Sequence, residues 1–351
     1  MIRIGVNALY LIPGGVGGTE IYLRNLLRAL AEVDTENQYI IFTNRETGAD
    51  LVPAHPNFIH APQPVPASFR PARMAWEQLQ LPFVAHKHKL DVLFNPGFTA
   101  PVLCPCPMVT VFHDLQHKRH PEYFRWFDLP FWNFFLWASA RRSRGLIAVS
   151  TATRDDLQRY YGRSSEVIHH GVEPELLAIA RNRQAKDYLL CVSTTHPHKN
   201  LQRLLRVHAR MNNAPRLVLT GVRGFAAEEI ESLAGESVEI TGWIAREKLY
   251  ELYRGALGFI YPSTFEGFGM PVLEAMAAGV PVACSDIAPL REIALSTVHF
   301  FDPASDREIQ DALLLLASGK IPTEAAQRRA AEFTWVKAAR ATLDYLSKCS
   351  S

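Results

Sequence analysis

Short β-branched apolar runs alternate with stretches in which apolar residues recur every three or four positions, from one end of the chain to the other. That alternation predicts parallel strands, each followed by a helix packed on the sheet, and so an α/β fold with doubly wound sheets. In the first half strands are expected at 2–9, 38–44, 91–95, 108–114, 145–150 and 166–172. In the second half they are expected at 188–193, 216–221, 237–244, 257–263, 280–286 and 298–303. A helix is expected from Thr19 to Val33, where Ile21, Leu23, Leu26, Leu27 and Leu30 share one face. Residues 60–75 carry four prolines without a period and read as a long surface loop.

The pattern runs twice, and Gly and Pro interrupt it at 169–175, HHGVEPE. The expected organisation is a Rossmann-like domain over 1–170, a second over 171–334, and a helix over 335–351 free to pack back toward the first. A cleft between two such domains is expected. The length supports this, because 351 residues at 48% hydrophobic exceed one ordinary core.

Charge removes one class of function. The 37 basic and 35 acidic residues balance to +2, without the dense basic footprint of a nucleic-acid binder, while a small anionic ligand stays compatible. Five scattered cysteines without a C-x-x-C pair fit a reducing compartment. With no signal-like N-terminus and no long apolar run, a cytoplasmic location is expected.

Ligands of doubly wound sheets bind beyond the carboxyl ends of strands, so chemistry is sought there. After the first strand comes a glycine-rich turn, YLIPGGVGGTE, with Gly17 and Gly18 before a helix N-terminus suited to a phosphate. Glu20 stands where a dinucleotide fingerprint has its third glycine, and Asn44-Arg45 replaces the ribose-binding acid, which disfavours NAD. After the fourth strand His113, Asp114, His117 and His120 cluster, without H-E-x-x-H or D-x-D spacing, so no divalent metal is expected. His113 is read as a polar group on a ligand, or as a structural histidine, and His117 and His120 as solvated. Residues 123–144 mix aromatics with Arg141, Arg142 and Arg144: a core helix with a solvated basic end, or a surface for anionic membranes.

In the second half Lys199, between His198 and Asn200 at a helix start, suits a phosphate, though an ordinary surface lysine fits as well. The stretch STFEGFGMPVLE at 263–274 follows a strand, and Pro271 and Gly279 frame a helix over 271–278. Glu266 is then on the loop and Glu274 in the first helical turn, with the N–H groups of Phe268, Gly269 and Met270 between them. Glu274 also reads as a simple helix-dipole acid.

Together these segments resemble the retaining glycosyltransferases of family 4, with the GT-B fold, along nearly the whole chain. The specific part is E-x7-E, Glu266 and Glu274, in PSTFEGFGMPVLEAMAAGVPV; HDL at 113–115 and PHKN at 197–200 look most like the polysaccharide mannosyltransferase branch. The resemblance implies that Glu274 binds the ribose of a nucleotide sugar and that Glu266 faces the transferred hexose. It implies Lys199 on the diphosphate, backbone contacts from Phe268, Gly269 and Met270, and Ile244 against the base. Gly17 and Gly18 would close on the phosphate and acceptor, and His113 would bond the hexose. The arginine the family often has six positions before its lysine is Ser193 here, leaving diphosphate charge to Lys199, helix N-termini and Arg203 or Arg223.

The implied activity is metal-independent transfer of a hexose, on branch resemblance mannose from GDP-mannose, onto a polysaccharide or lipid-linked oligosaccharide, with peripheral contact at the inner face of a membrane. Alternatives are nucleotide-sugar epimerisation, phosphorolysis, or a non-catalytic nucleotide-sugar-binding protein.

Overall fold

In the computed structural model, which describes residues 1–15 and 17–350, the chain forms two compact units. Val16 of the glycine run and the C-terminal Ser351 lie outside the described residues. One unit is Met1–Gly171 with Trp335–Ser351, and the other is Val172–Thr334.

The first unit holds seven parallel strands: β1 (Arg3–Asn7), β2 (Gln38–Thr43), β3 (Phe58–Pro62), β4 (Val92–Asn95), β5 (Met108–Phe112), β6 (Gly145–Ala148) and β7 (Glu166–Val167). Their order in the sheet is β3-β2-β1-β4-β5-β6-β7. Every residue of β4, β5 and β6 is buried, which is why these strands read as unbroken apolar runs. Chain order reverses between β1 and β4, the switch point of a doubly wound sheet. The helix Trp335–Ser350 packs on the helix Gly18–Val33 and against β4, β5 and β6. A side chain added at Gly145 would meet the Cys349 sulfur at 2.7 Å, so β6 needs glycine where this helix crosses it.

The second unit holds β8 (Tyr188–Val192), β9 (Arg216–Thr220), β10 (Val238–Gly242), β11 (Gly258–Tyr261), β12 (Val282–Ser285) and β13 (His299–Phe301). All pairs are parallel, in the order β10-β9-β8-β11-β12-β13, with the switch point between β8 and β11.

The expected loop over 60–75 is a correction: β3 enters it and the helix Arg70–Leu79 leaves it. Pro62 closes an edge strand, and Pro71 occupies the first turn of its helix, where no N–H is required. The strand expected over 166–172 shrinks to two residues, and Val172 pairs instead with Thr334 of the second unit.

Candidate functional site

At the switch point of the second unit, the segments leaving β8 and β11 meet. β8 passes through a 3-10 turn, Pro197–Lys199, to Asn200, whose left-handed φ of 57° starts the helix Leu201–Ala209. The two segments are tied at one carbonyl: Thr264 N, Thr264 Oγ1 and Ser263 Oγ donate to His198 O at 2.8, 3.0 and 3.2 Å. That tie brings Lys199 Nζ to 2.6 Å from Glu266 Oε1 and 3.2 Å from the Tyr261 hydroxyl. Both charged side chains are largely buried, 13% and 10% exposed. Lys199 is therefore no surface lysine. The Tyr261 phenol sits well above its usual range through burial and the neighbouring Glu266, so it stays protonated.

Beyond Glu266 the chain turns at Gly269, whose φ of +105° starts the helix Met270–Ala277. A Cβ there would lie 2.3 Å from Leu290 Cδ2, so both conformation and space demand glycine. The N–H groups of Gly269 and Met270 stand where the helix has no internal acceptor for them. Phe268 turns inward, ring to ring with Phe333 at 6.2 Å, and contributes backbone rather than side chain to this turn.

Glu274 is the fifth residue of this helix, past its first turn, which corrects the expected position and removes the helix-dipole reading. Its carboxylate is buried, 3% exposed. Arg246 Nη2 donates to Oε1 at 2.5 Å and the Tyr253 hydroxyl to Oε2 at 2.9 Å. Arg246 also donates through Nε to Glu173 at 2.8 Å and lies over the Tyr250 ring. Flanked by two carboxylates, the guanidinium is held firmly charged. Two of the roughly four acceptor directions of Glu274 are used, so a diol has somewhere to bind. Arg246, Tyr253 and Glu173 escaped the sequence reading, because nothing in an R-E-K-L helix start announces a partner 28 or 73 residues away.

Ile244 is half-buried in the loop after β10, beside Trp243, which is 61% exposed. Ser193 donates to its own neighbour's carbonyl, and Gly221 packs so close that a Cβ would lie 2.1 Å from Ser193 O. Both arginines named as stand-ins for the missing one are engaged in exposed ion pairs. Arg203 pairs with Asp306 at 3.4 Å and Arg223 with Glu231 at 3.0 Å on the surface.

In the first unit Gly17 has φ +57°, and open space surrounds both Gly17 and Gly18. Glu20, in the third-glycine position, fastens the loop: its Oε2 accepts from Gly14 N at 2.8 Å while Oε1 pairs with Arg24. His113 is buried at the end of β5, with Nε2 2.8 Å from Pro96 O. Burial lowers its pKa to about 4, so the ring is neutral and Nδ1 is left as an acceptor for a ligand hydroxyl.

His117 corrects the expectation of a solvated side chain: it is buried, its Nε2 lies 2.7 Å from the Tyr161 hydroxyl, and burial lowers its pKa to about 4. His120 pairs with Glu122 at 3.0 Å, and Asp114 caps its own loop by accepting from Gln116 N. Among the described residues no three His, Cys, Asp or Glu side chains gather as a metal-binding group.

The helix Leu129–Arg142 is only half a core helix. Leu136, Ala138, Ser139 and Ala140 are buried, while Phe134 and Trp137 are exposed on a face that ends in Arg141. Among the described residues no helix is long and apolar enough to cross a membrane.

Comparison with known proteins bears on the family and the fold. Residues 16–176 match the family model described as Glycosyltransferase Family 4, and residues 173–333 match that of Glycosyl transferases group 1. The chain is similar to O-antigen chain mannosyltransferase B of Escherichia coli, 27% identical over 78% of this chain and 77% of that one. It is also similar to O-antigen chain mannosyltransferase RfbU of Salmonella typhimurium, 25% identical over 57% of this chain and 58% of that protein's length. Sucrose-phosphate synthase from Thermosynechococcus elongatus shares the fold, with a TM-score of 0.79 at 20% identity over 99% of both chains.

Proposed function

The chain belongs to glycosyltransferase family 4, with the GT-B fold, and from that premise we propose that it transfers mannose from GDP-mannose, with retention and without a divalent metal, to a glycan or lipid-linked acceptor. The observation that carries the reading is the convergence of Lys199, Glu266 and Glu274 around the Gly269 turn at one switch point. Glu274, held by Arg246 and Tyr253, is preorganised for the ribose hydroxyls, and Ile244 lies by the base. Lys199 and the N–H groups of Phe268, Gly269 and Met270 face the diphosphate. Glu266 faces the hexose and, before a donor arrives, neutralises Lys199.

Transfer builds oxocarbenium character at the anomeric carbon and negative charge on the departing diphosphate. Fixed donors aimed at that developing charge act most strongly where water is excluded. As the bond from anomeric carbon to phosphate oxygen breaks, the acceptor hydroxyl attacks the same face, and its proton passes to the leaving phosphate oxygen. Glu266 orients the sugar, and neutral His113 accepts a hydrogen bond from a hexose hydroxyl. Gly17 and Gly18, lacking side chains, leave room for phosphate and acceptor. The mannosyl donor and the glycan acceptor are supported by the names of the O-antigen relatives. Action at the inner face of a membrane is supported by the exposed Phe134, Trp137 and Arg141.

Lys199→Ala tests this reading. Loss of the diphosphate cation is expected to lower kcat/KM by about 10²–10³, and near-normal turnover would remove Lys199 from the mechanism.

A further inference from the structure

On the first unit, the helix Arg70–Leu79 carries two arginines, one turn apart, whose N–H groups the protein leaves short of acceptors. Arg73 is 7% exposed, yet its guanidinium makes one side-chain hydrogen bond among the described residues, to the Met74 thioether at 3.6 Å. A thioether is a weak acceptor for a buried cation. Glu77, one turn on, attracts Arg73 without bonding it, since its carboxylate already accepts from Asn7, Thr99 and Gln78 at 3.2, 2.9 and 3.2 Å. Arg70 reaches Asp128 at 3.5 Å through Nη1, while its Nε and Nη2 are buried without any partner. Its guanidinium is clamped over Trp132 and Phe131, 4.1 and 4.7 Å from the ring centres.

Two like charges at this spacing repel, and the buried, unpartnered Nε and Nη2 of Arg70 are costly, so the Asp128 pair and the ring contacts alone do not account for Arg70. A phosphoryl anion answers both: its charge offsets the repulsion, and its oxygens match the fork of a guanidinium. The place also fits. Glu77 ties this helix to Asn7, and Asn7 Nδ2 donates to Asn95 Oδ1 at 3.1 Å, which joins the ends of β1 and β4 at the switch point. Pro96, next in the chain, holds His113.

We propose that Arg70 and Arg73 form an anion subsite for the phosphoryl group of the acceptor, a phosphate or diphosphate ester. The anion site rests on the first unit alone, and its assignment to the acceptor rests on the transferase reading above. Phe69, exposed beside Arg70, and the exposed face of Phe134 and Trp137 favour a lipid-borne ester over a free one.

The test uses the full chain and the variants Arg70→Gln, Arg73→Gln and Arg73→Lys. Binding of inorganic pyrophosphate is measured by calorimetry, and binding to phosphatidylcholine vesicles with and without polyprenyl phosphate by flotation. Each Gln variant is expected to weaken the anion binding by about tenfold or more, and Arg73→Lys to lie between. Pyrophosphate bound at the donor site is common to all proteins and cancels in the comparison. Loss on vesicles identifies a lipid-borne ester; loss confined to pyrophosphate identifies a soluble one. Thermal stability of the Gln variants is expected to fall somewhat, because Arg73→Gln leaves the buried Glu77 without its neighbouring cation and Arg70→Gln loses Asp128 and the ring contacts, so anion binding is the readout that decides. Unchanged anion binding in both Gln variants overturns the proposal, whatever their stability. Should Arg73→Gln not fold, the half-buried Arg70→Gln decides alone. Weakened pyrophosphate binding without any glycosyl transfer would leave the subsite standing and remove the transferase reading.

Discussion

Arg246→Ala removes the cation that stands between Glu173 and Glu274. Glu274 is then left 3% exposed with the Tyr253 hydroxyl as its remaining side-chain donor, facing a second, largely buried carboxylate. Breaking a fully buried pair costs about 3–5 kcal/mol. The Arg246 side chain is 23% exposed, so solvent screens part of that, and about 2–4 kcal/mol is the expected loss. In a unit of this size that corresponds to a fall in Tm on the order of 10 °C. Urea and thermal unfolding, with and without GDP and UDP, read both consequences. GDP is expected to stabilise the parent by mass action and to stabilise Arg246→Ala far less, because its ribose carboxylate has lost its support. Adding Glu274→Gln to Arg246→Ala is expected to recover stability, with a coupling of about 2 kcal/mol in the double-mutant cycle. Unfolding and nucleotide stabilisation of Arg246→Ala indistinguishable from the parent would refute the claim that this arginine holds Glu274.

Two further outcomes follow. Gly269→Ala forces an alanine to φ +105° and into Leu290; a cost of about 1–3 kcal/mol is expected, with kcat reduced more than the stability loss explains, and full activity in a steady-state assay would count against the turn's role. The buried neutral His113 binds its proton near pH 4 rather than about 6.5, so its share of stability is fully present above pH 6.5 and is lost as pH falls toward 4. Between pH 7 and pH 5 that share is about 2 kcal/mol, and His113→Asn should flatten the pH dependence of the urea midpoint by this amount; an unchanged slope would contradict it.

The strands were legible where they are buried on both faces. VACS of β12 and YLLCV of β8 are apolar throughout except for the buried Ser285, and both lie inside their expected ranges. β3 was not legible, because an edge strand ending in proline with Ile59 exposed carries little apolar signal. Glu266, Gly269 and Glu274 were legible because the turn and helix start between them are local. Arg246 was not, since its role exists only once β8, β10 and β11 are laid side by side. The same holds for His117, whose burial depends on Tyr161, 44 residues on. Arg70 and Arg73 were visible only as basic residues in a proline-rich stretch until that stretch folded into a helix.

The most direct test of hexosyl transfer is NMR of a reaction containing the chain, GDP-mannose and a panel of alkyl and polyprenyl-phosphate glycosides. The expected result is free GDP matched mole for mole by a new α-mannoside, absent with Lys199→Ala. A β-configured product, an altered free nucleotide sugar or a sugar phosphate, or tight donor binding without turnover across the panel would contradict the account.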